Sequence, residues 1–415
     1  MTKHLFNEFP EYTKQDWEDR IIKDLKDRPK EELTLQVEDG INIRPDYAGS
    51  SSKEYTQSYR SKNRWLISSE LTDDCTNRDV LDVLANGCNS LLIHINSTTD
   101  ITKLLKDVML DILDSTFVLH GNDQKALERK LSDYLKTNYN SAIQAFAVSD
   151  PFENGTEFND PTNGAFINAA HYRNSGATAI EELSYALAQL TEILVNDPKY
   201  IHIQLAIGPE YFNALAKFRA FRLMSAQIVK AFNWKGELRI SAAPSTYFLS
   251  TKETNNNLLR LTSMAMSAAL GGCDQLTLIG HDMSGNRSSE RLALNIQHIM
   301  MEESYLASIT DPAHGSFYIE ELTKEIAERA WNKFQQIESE GGFLNSLKNG
   351  SIKDQIEGSH RLRLKRFQSG ESTLVGVSKY VSEQSDTSAF TPNNWNGISS
   401  RNLSEELGEE GENEA

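Results

Sequence analysis

The chain has 415 residues, enough for one large α/β barrel with extensions or for two domains. Hydrophobic residues at 39% and charged residues at 24%, with only 10 Pro and 23 Gly, exclude collagen-like and wholly disordered chains. Lys and Arg number 42 against 59 Asp and Glu, and the resulting charge of −17 is the wrong sign for a protein that grips a phosphate backbone.

Three cysteines, Cys75, Cys88 and Cys273, form no C-x-x-C pair and fit a reducing compartment rather than a disulfide scaffold or thiolate zinc. The first residues lack an apolar signal core, and no run approaches the roughly 20 apolar residues of a membrane span. A cytoplasmic protein that meets no membrane is expected, so Asn96-Ser97-Thr98 carries no glycosylation meaning.

In chain order, Asp16 to Lys26 predicts a short helix with Trp17, Ile21, Ile22 and Leu25 on one apolar face. Leu33–Val37, a turn at Glu38-Asp-Gly40 and Ile41–Ile43 read as a small hairpin, ended by Pro45 and the Gly49–Ser52 run. Residues 1–54 are therefore read as an N-terminal arm. Eight short apolar runs follow with strand character: Trp65–Ile67, Leu91–Ile95, Thr116–Leu119, Ala142–Val148, Ala165–Ala170, Tyr200–Ile207, Leu238–Ala242 and Gln275–Ile279.

Helical periodicity separates most of these runs, as in Ile101 to Ile112, Ile180 to Leu194 and Leu258 to Ala268. Asp79, Asp100 and Asp123 stand where N-caps are needed, and Gly271-Gly272 closes a helix. Strand and helix alternating eight times predict a parallel (β/α) TIM-type barrel over residues 55–345. The fourth crossover is the weak unit, because Pro151 to Asn163 is too polar for a good helix; an irregular crossover leaves an open doubly wound sheet as the alternative. Residues 346–400 are expected to pack on the barrel as an extension. The last fifteen, Arg401 to Ala415, carry six glutamates and are expected to be disordered.

Parallel strands buried on both faces usually read as unbroken aliphatics, and these do not. In Tyr200–Ile207, His202 and Gln204 alternate with Ile201, Ile203 and Leu205, which places the aliphatics against the helices and the polar set in the lumen. His94, Gln144, Asn168 and Thr277 repeat the pattern. Such a lumen must be wet, ligand-filled or internally hydrogen-bonded, since each unpaired polar group costs roughly 1–3 kcal/mol.

The C-terminal strand ends, where barrel active sites lie, offer His120, His171, Ser241 and His281-Asp282. No H-x-H or H-E-x-x-H spacing supports a metal, and no Walker loop, G-x-S-x-G elbow or G-x-G-x-x-G run is present. Met264, Met266, Met300 and Met301 fall on helices as packing residues.

Several segments together resemble methylmalonyl-CoA mutase, the adenosylcobalamin-dependent isomerase. Trp17 with Lys23-Asp24-Leu25, then Glu38-Asp-Gly-Ile41-Asn-Ile-Arg-Pro45-Asp-Tyr47, is similar to that family's N-terminal arm. Ile167-Asn-Ala-Ala-His171-Tyr-Arg-Asn-Ser-Gly176-Ala-Thr178 running into Glu181 to Ala188 resembles the strand and helix around its active-site Tyr-His pair. Ala216 to Leu223, Asn256 to Arg260, Leu270-Gly-Gly272, Glu302-Glu303-Ser304 and Asp311 to Tyr318 complete the series in the same order.

The departures point to one branch of that family. Ala170 stands where catalytic chains have a Tyr, although His171 is retained, which leaves His171 a vestigial candidate. Arg239-Ile-Ser241-Ala-Ala243-Pro-Ser245-Thr246 stands for a polar run of the family whose His and Gln have become Ser241 and Ala243, and no Asp-x-His-x-x-Gly cobalt-ligand motif follows Phe343. Losing donors aimed at a transition state typically costs about 10²-fold or more apiece.

The resemblance therefore implies a small, or β, subunit, non-catalytic by itself, in a heterodimer whose large (α) subunit binds the acyl-CoA and holds adenosylcobalamin. None is expected on this chain, and no metal. It further implies that the arm wraps the partner through Trp17, Ile21 and Leu25, that the catalytic chain threads coenzyme A through its own barrel axis, and that His202, Gln204 and Ser241 stand in the corresponding passage of this chain. The alternatives from the residues alone are a free-standing barrel enzyme using His171 with His120 or His281, or a homodimeric binding protein for acyl-CoA esters.

Overall fold

The computed structural model describes residues 10, 12–26, 28–36, 40–47, 60, 63–121, 123–139, 143–155, 157–159, 163–382 and 387–413, the last five by backbone alone. The hairpin turn at Glu38-Asp39, the Gly49–Ser52 run and Ala142 lie outside them. The arm comprises α1 (Lys14–Leu25) and a two-stranded ladder of β1 (Leu35–Gln36) and β2 (Asn42–Ile43). Thr13 starts α1 through a capping box with Asp16.

Eight parallel strands then close a barrel: β3 (Leu66–Leu71), β4 (Ser90–Ile95), β5 (Asp114–Leu119), β6 (Gln144–Ser149), β7 (Gly164–Asn168), β8 (Tyr200–Ile207), β9 (Glu237–Pro244) and β10 (Gln275–Thr277), with β10 pairing back onto β3. All eight expected runs are strands of it, and closure excludes the open doubly wound sheet.

The helices are α2 (Asn77–Ala85), α3 (Ile101–Leu104), α4 (Gln124–Asn138), α5 (Ala170–Asn174), α6 (Ala179–Leu194), α7 (Tyr211–Ala231), α8 (Asn256–Gly271), α9 (Arg287–His298), α10 (Phe317–Ser339), α11 (Gly342–Lys348) and α12 (Ser351–Gln368). A roof hairpin of β11 (Asn394–Trp395) and β12 (Ile398–Ser399) and a last helix α13 (Leu403–Asn413) follow. Among the described residues no helix is long and apolar enough to cross a membrane.

The alternation in β8 sorts as expected. Ile201, Ile203, Leu205 and Ile207 face outward and are fully buried beneath the helical ring. Each such side chain contributes about 1.5–3 kcal/mol of burial. α6 begins with a capping box between Thr178 and Glu181 and is buried on nearly every side because α10 crosses it.

Local chemistry overrode four readings. The helix expected from Ile101 to Ile112 stops after one turn, because Asp107 turns left-handed (φ 62°) and leaves Met109 and Ile112 exposed. Asp79 is not itself a cap but the third residue of a box capped by Thr76. Ala169-Ala170 leave the strand and enter α5. Gln144 is exposed at the start of β6, so it takes no part in the lumen.

The segment from Arg401, expected to be disordered, forms α13: Leu403 and Ser404 are buried, and Asn402 caps the turn from inside. No helix forms among the described residues between β6 and β7, which pair only at Ser149↔Ala165. Gly164 allows that approach, since a Cβ there would lie 2.9 Å from Ala147 O and from Val148 Cγ1.

Candidate functional site: the barrel axis and its mouth

Side chains pointing inward from the strands form an apolar cluster of Leu92, Val118, Val148, Phe166 and Tyr200, with Phe146 against it. At the N-terminal end of the axis, Phe146 and Tyr200 stack with centroids 3.9 Å apart and planes 7° from parallel. The Arg239 guanidinium lies 5.6 and 5.5 Å from these rings and forms a two-pronged ion pair with Asp114, its Nη2 2.8 Å from Oδ2.

One layer up, the His202 and Ser241 side chains hydrogen-bond at 2.7 Å, and Thr116 meets the Tyr200 hydroxyl at 3.3 Å. Burial, together with the Arg239 charge and His94, drives His202 well below the ordinary imidazole range, so it is neutral. Gln204 donates to Glu70 Oε2 at 2.9 Å. Phe146, Tyr200, Arg239, Asp114, His202 and Ser241 thus fill the axis with paired side chains, while Ser90 Oγ, Gln275 Oε1 and Thr277 Oγ1 are buried beside them without a partner.

The C-terminal mouth encloses a cavity of about 450 Å³. Its floor is a relay of four side chains. Glu70 Oε1 meets His94 Nε2 at 2.9 Å, His94 Nδ1 meets His120 Nε2 at 2.7 Å, and His120 Nδ1 meets Glu153 Oε1 at 3.1 Å. The two imidazoles stack 5.0 Å apart. Burial pushes the Glu70 carboxyl up, but His94 and Gln204 outweigh it and leave it below its usual range.

The roof is the hairpin of β11 and β12. Trp395 Nε1 donates to Asp150 Oδ2 at 2.7 Å, and Asn396 Nδ2 donates to Phe152 O at 2.8 Å. Burial raises Asp150 from 3.8 to about 6, against the opposing hydrogen bonds from Phe152 N–H and Trp395. His171 Nε2 donates to the Ile398 carbonyl at 2.9 Å, and burial lowers its affinity for a second proton. The His171 imidazole is thereby tied to the roof.

Of the residues singled out from sequence, His120 and His171 share the mouth cavity, His202 and Ser241 pair beneath it, and Gln204 links the two levels. His281 and Asp282 do not line the cavity; Asp282 is held by Ser289 and Ser284. Glu70 and Glu153 were missed, although Glu70 sits at a strand end in phase with Ser68. Trp395 and Asn396 reach the mouth from about 250 residues away, a juxtaposition no local pattern carries. On the arm, Trp17 is 37% and Ile22 60% exposed, whereas Leu25 is buried within the chain itself. Among the described residues no three or more His, Cys, Asp or Glu side chains are arranged to hold a metal ion.

The sequence profile of methylmalonyl-CoA mutase matches residues 137–402. The chain is 31% identical over 439 aligned positions to the methylmalonyl-CoA mutase small subunit of Porphyromonas gingivalis, covering 91% of this chain and 71% of that protein. It is 26% identical to the small subunit of Streptomyces virginiae, over 90% of this chain and 71% of that protein. The large subunit of Porphyromonas gingivalis, a separate polypeptide, is 31% identical over 56% of this chain and 35% of its own length. A closed eight-stranded barrel, the ordered motif series and these matches lead to one conclusion: the chain belongs to the methylmalonyl-CoA mutase family.

Proposed function

We propose that this chain is the small, non-catalytic subunit of a heterodimeric methylmalonyl-CoA mutase, pairing with a large subunit that binds the acyl-CoA and carries out the interconversion of methylmalonyl-CoA and succinyl-CoA. The filled axis is the observation that carries this reading. Phe146, Tyr200, Arg239, Asp114, His202 and Ser241 stand where a threaded substrate would run, and each is paired with a neighbour. The engagement of His171 by Ile398 O supports it further, as does Ala170 in the position of the family's Tyr.

Adenosylcobalamin belongs to the large subunit in this reading. The donors at this mouth do not fit the group: His94 and His120 are engaged by carboxylates and each other, and the His171 Nε2 by a carbonyl. A cytoplasmic location accords with three unpaired cysteines.

The arm is the proposed grip on the partner, through Trp17 and Ile21 rather than Leu25, which the chain's own packing consumes. Its base is fixed by Ile41, buried to 1% exposure, by Tyr47 against Tyr318 at 4.9 Å, and by an ion pair of Arg44 with Glu321. Co-expression with the cognate large subunit, followed by size exclusion, tests the reading. A stable one-to-one complex is expected, weakened in a Trp17→Ala, Ile21→Ala variant; two separate peaks at micromolar concentration contradict it. The second reading, an acyl-CoA binding protein, is favoured only by the mouth cavity and predicts heat on titrating the thioester into this chain alone.

A further inference from the structure

The relay at the mouth contains a counting problem. Its three contacts, from Glu70 to His94, His94 to His120 and His120 to Glu153, each need one proton. Two neutral imidazoles carry one N–H apiece, and ionised carboxylates only accept. If both histidines were neutral, a lone pair would face a lone pair across 2.7 Å between the rings, or one ring nitrogen would face its carboxylate acceptor to acceptor, His94 Nε2 at 2.9 Å from Glu70 or His120 Nδ1 at 3.1 Å from Glu153. A metal ion does not resolve the clash, because zinc–nitrogen bonds of about 2.0–2.1 Å hold two ligating nitrogens roughly 3.3 Å apart.

We propose that His94 and His120 hold a third proton between them, as one shared imidazolium charge clamped by Glu70 and Glu153, and that this charge keeps the cavity roof shut. The mechanical link runs through a single turn. Glu153 ends the Asp150–Glu153 turn, whose Asp150 carboxylate accepts from Trp395 and whose Phe152 carbonyl accepts from Asn396.

Every element around the relay adds negative charge or none. Glu70 and Asp73 come from the end of β3, Asp150 and Glu153 from the loop after β6, Asn168 and the neutral His171 from the end of β7, and Gln124 from α4; His202, beneath, is neutral. Among the described residues no lysine or arginine lines the cavity. The imidazolium is therefore the counter-charge of an acidic mouth. Its loss at alkaline pH removes one of the three contacts and, with the charge, the attraction that holds Glu153 against His120, which loosens the roof. This inference stands whether or not the chain pairs with a large subunit.

The test is a proton swap. In Glu153→Gln the amide N–H supplies the third proton without charge, while the amide oxygen still accepts from Gln124. Two readouts on the full chain are needed: nitrogen-15 histidine spectra for the charge, and fluorescence of Trp395, isolated by difference from Trp395→Phe, for the roof. Wild type should show one imidazolium shared by the two rings at neutral pH and a Trp395 signal that changes on further alkalinisation, beyond the range in which Asp150 itself ionises. Glu153→Gln should show two neutral rings and a Trp395 signal that is flat over that alkaline range, with only the Asp150 change left below it.

Glu70→Gln repeats the swap from the other end and serves if the first variant misfolds. Two neutral rings in wild type at neutral pH overturn the proposal, as does a Glu153→Gln protein that keeps the wild-type pH response. A flat wild-type Trp395 signal overturns the coupling to the roof.

Discussion

If the axis is dry, the Arg239–Asp114 pair must behave as a buried ion pair. The two side chains are 7% and 6% exposed, and the guanidinium is sandwiched against the Phe146 and Tyr200 rings. Arg239→Met keeps an apolar stem over those rings and removes only the charge, leaving Asp114 alone among apolar groups. Breaking such a pair from one side costs about 3–5 kcal/mol, because the remaining ion is uncompensated. The second carboxylate on Arg239, Glu237, is half exposed and adds under about 1 kcal/mol.

Asp114→Asn should cost a comparable amount from the other side, whereas the double variant should recover most of the loss. The two single losses should therefore exceed the double loss by about 2 kcal/mol or more. Urea denaturation followed by circular dichroism at neutral pH measures all three. Single losses below about 1 kcal/mol, adding simply in the double variant, would mean that water already solvates Asp114. The lumen would then be open at its N-terminal end, and the argument from a filled axis would fail.

Three further outcomes are expected. Tyr200→Ala should cost about 3–5 kcal/mol and leave a hole that a small phenol refills, seen as a ligand-dependent rise in melting temperature; no rise refutes the stacked plug. Asp150 binds its proton more tightly folded than unfolded, so its contribution is complete below 3.8 and disappears as pH rises through about 6; allowing for partial exposure this is roughly 1–2 kcal/mol, and Asp150→Asn should flatten the stability profile across that window. Gly176→Ala forces a side chain at φ 108° with its Cβ 2.6 Å from that of His360, and should cost about 3 kcal/mol or more by thermal melting; wild-type stability would show that α12 is not seated on the turn after α5.

The barrel was legible because its signal is local and repeated. Each strand announced itself as a short apolar run, and in β8 the phase of Ile201, Ile203 and Leu205 against His202 and Gln204 assigned the two faces correctly. What escaped were features decided by backbone strain or by distance along the chain. Periodicity alone carried the Ile101 helix past Asp107, where a left-handed residue ends it. The acidic composition of the last residues hid Leu403, whose burial together with Asn402 and Ser404 orders them against Thr246, Leu249 and Thr251. In the site, His120 and His171 were visible at strand ends, but the carboxylate that engages His120, Glu153, comes from a loop, and the hairpin that ties His171 comes from a remote segment.

The single Ser149↔Ala165 contact gives the cylinder an unequal circumference. Neighbouring strands elsewhere pair at two to eight positions, whereas β6 and β7 meet at one, and no helix is described between them along the chain. A ring yields first at its thinnest weld. Amide exchange should start along the facing edges of β6 and β7, and any opening that admits solvent to the interior would travel from that side rather than through the plugged ends.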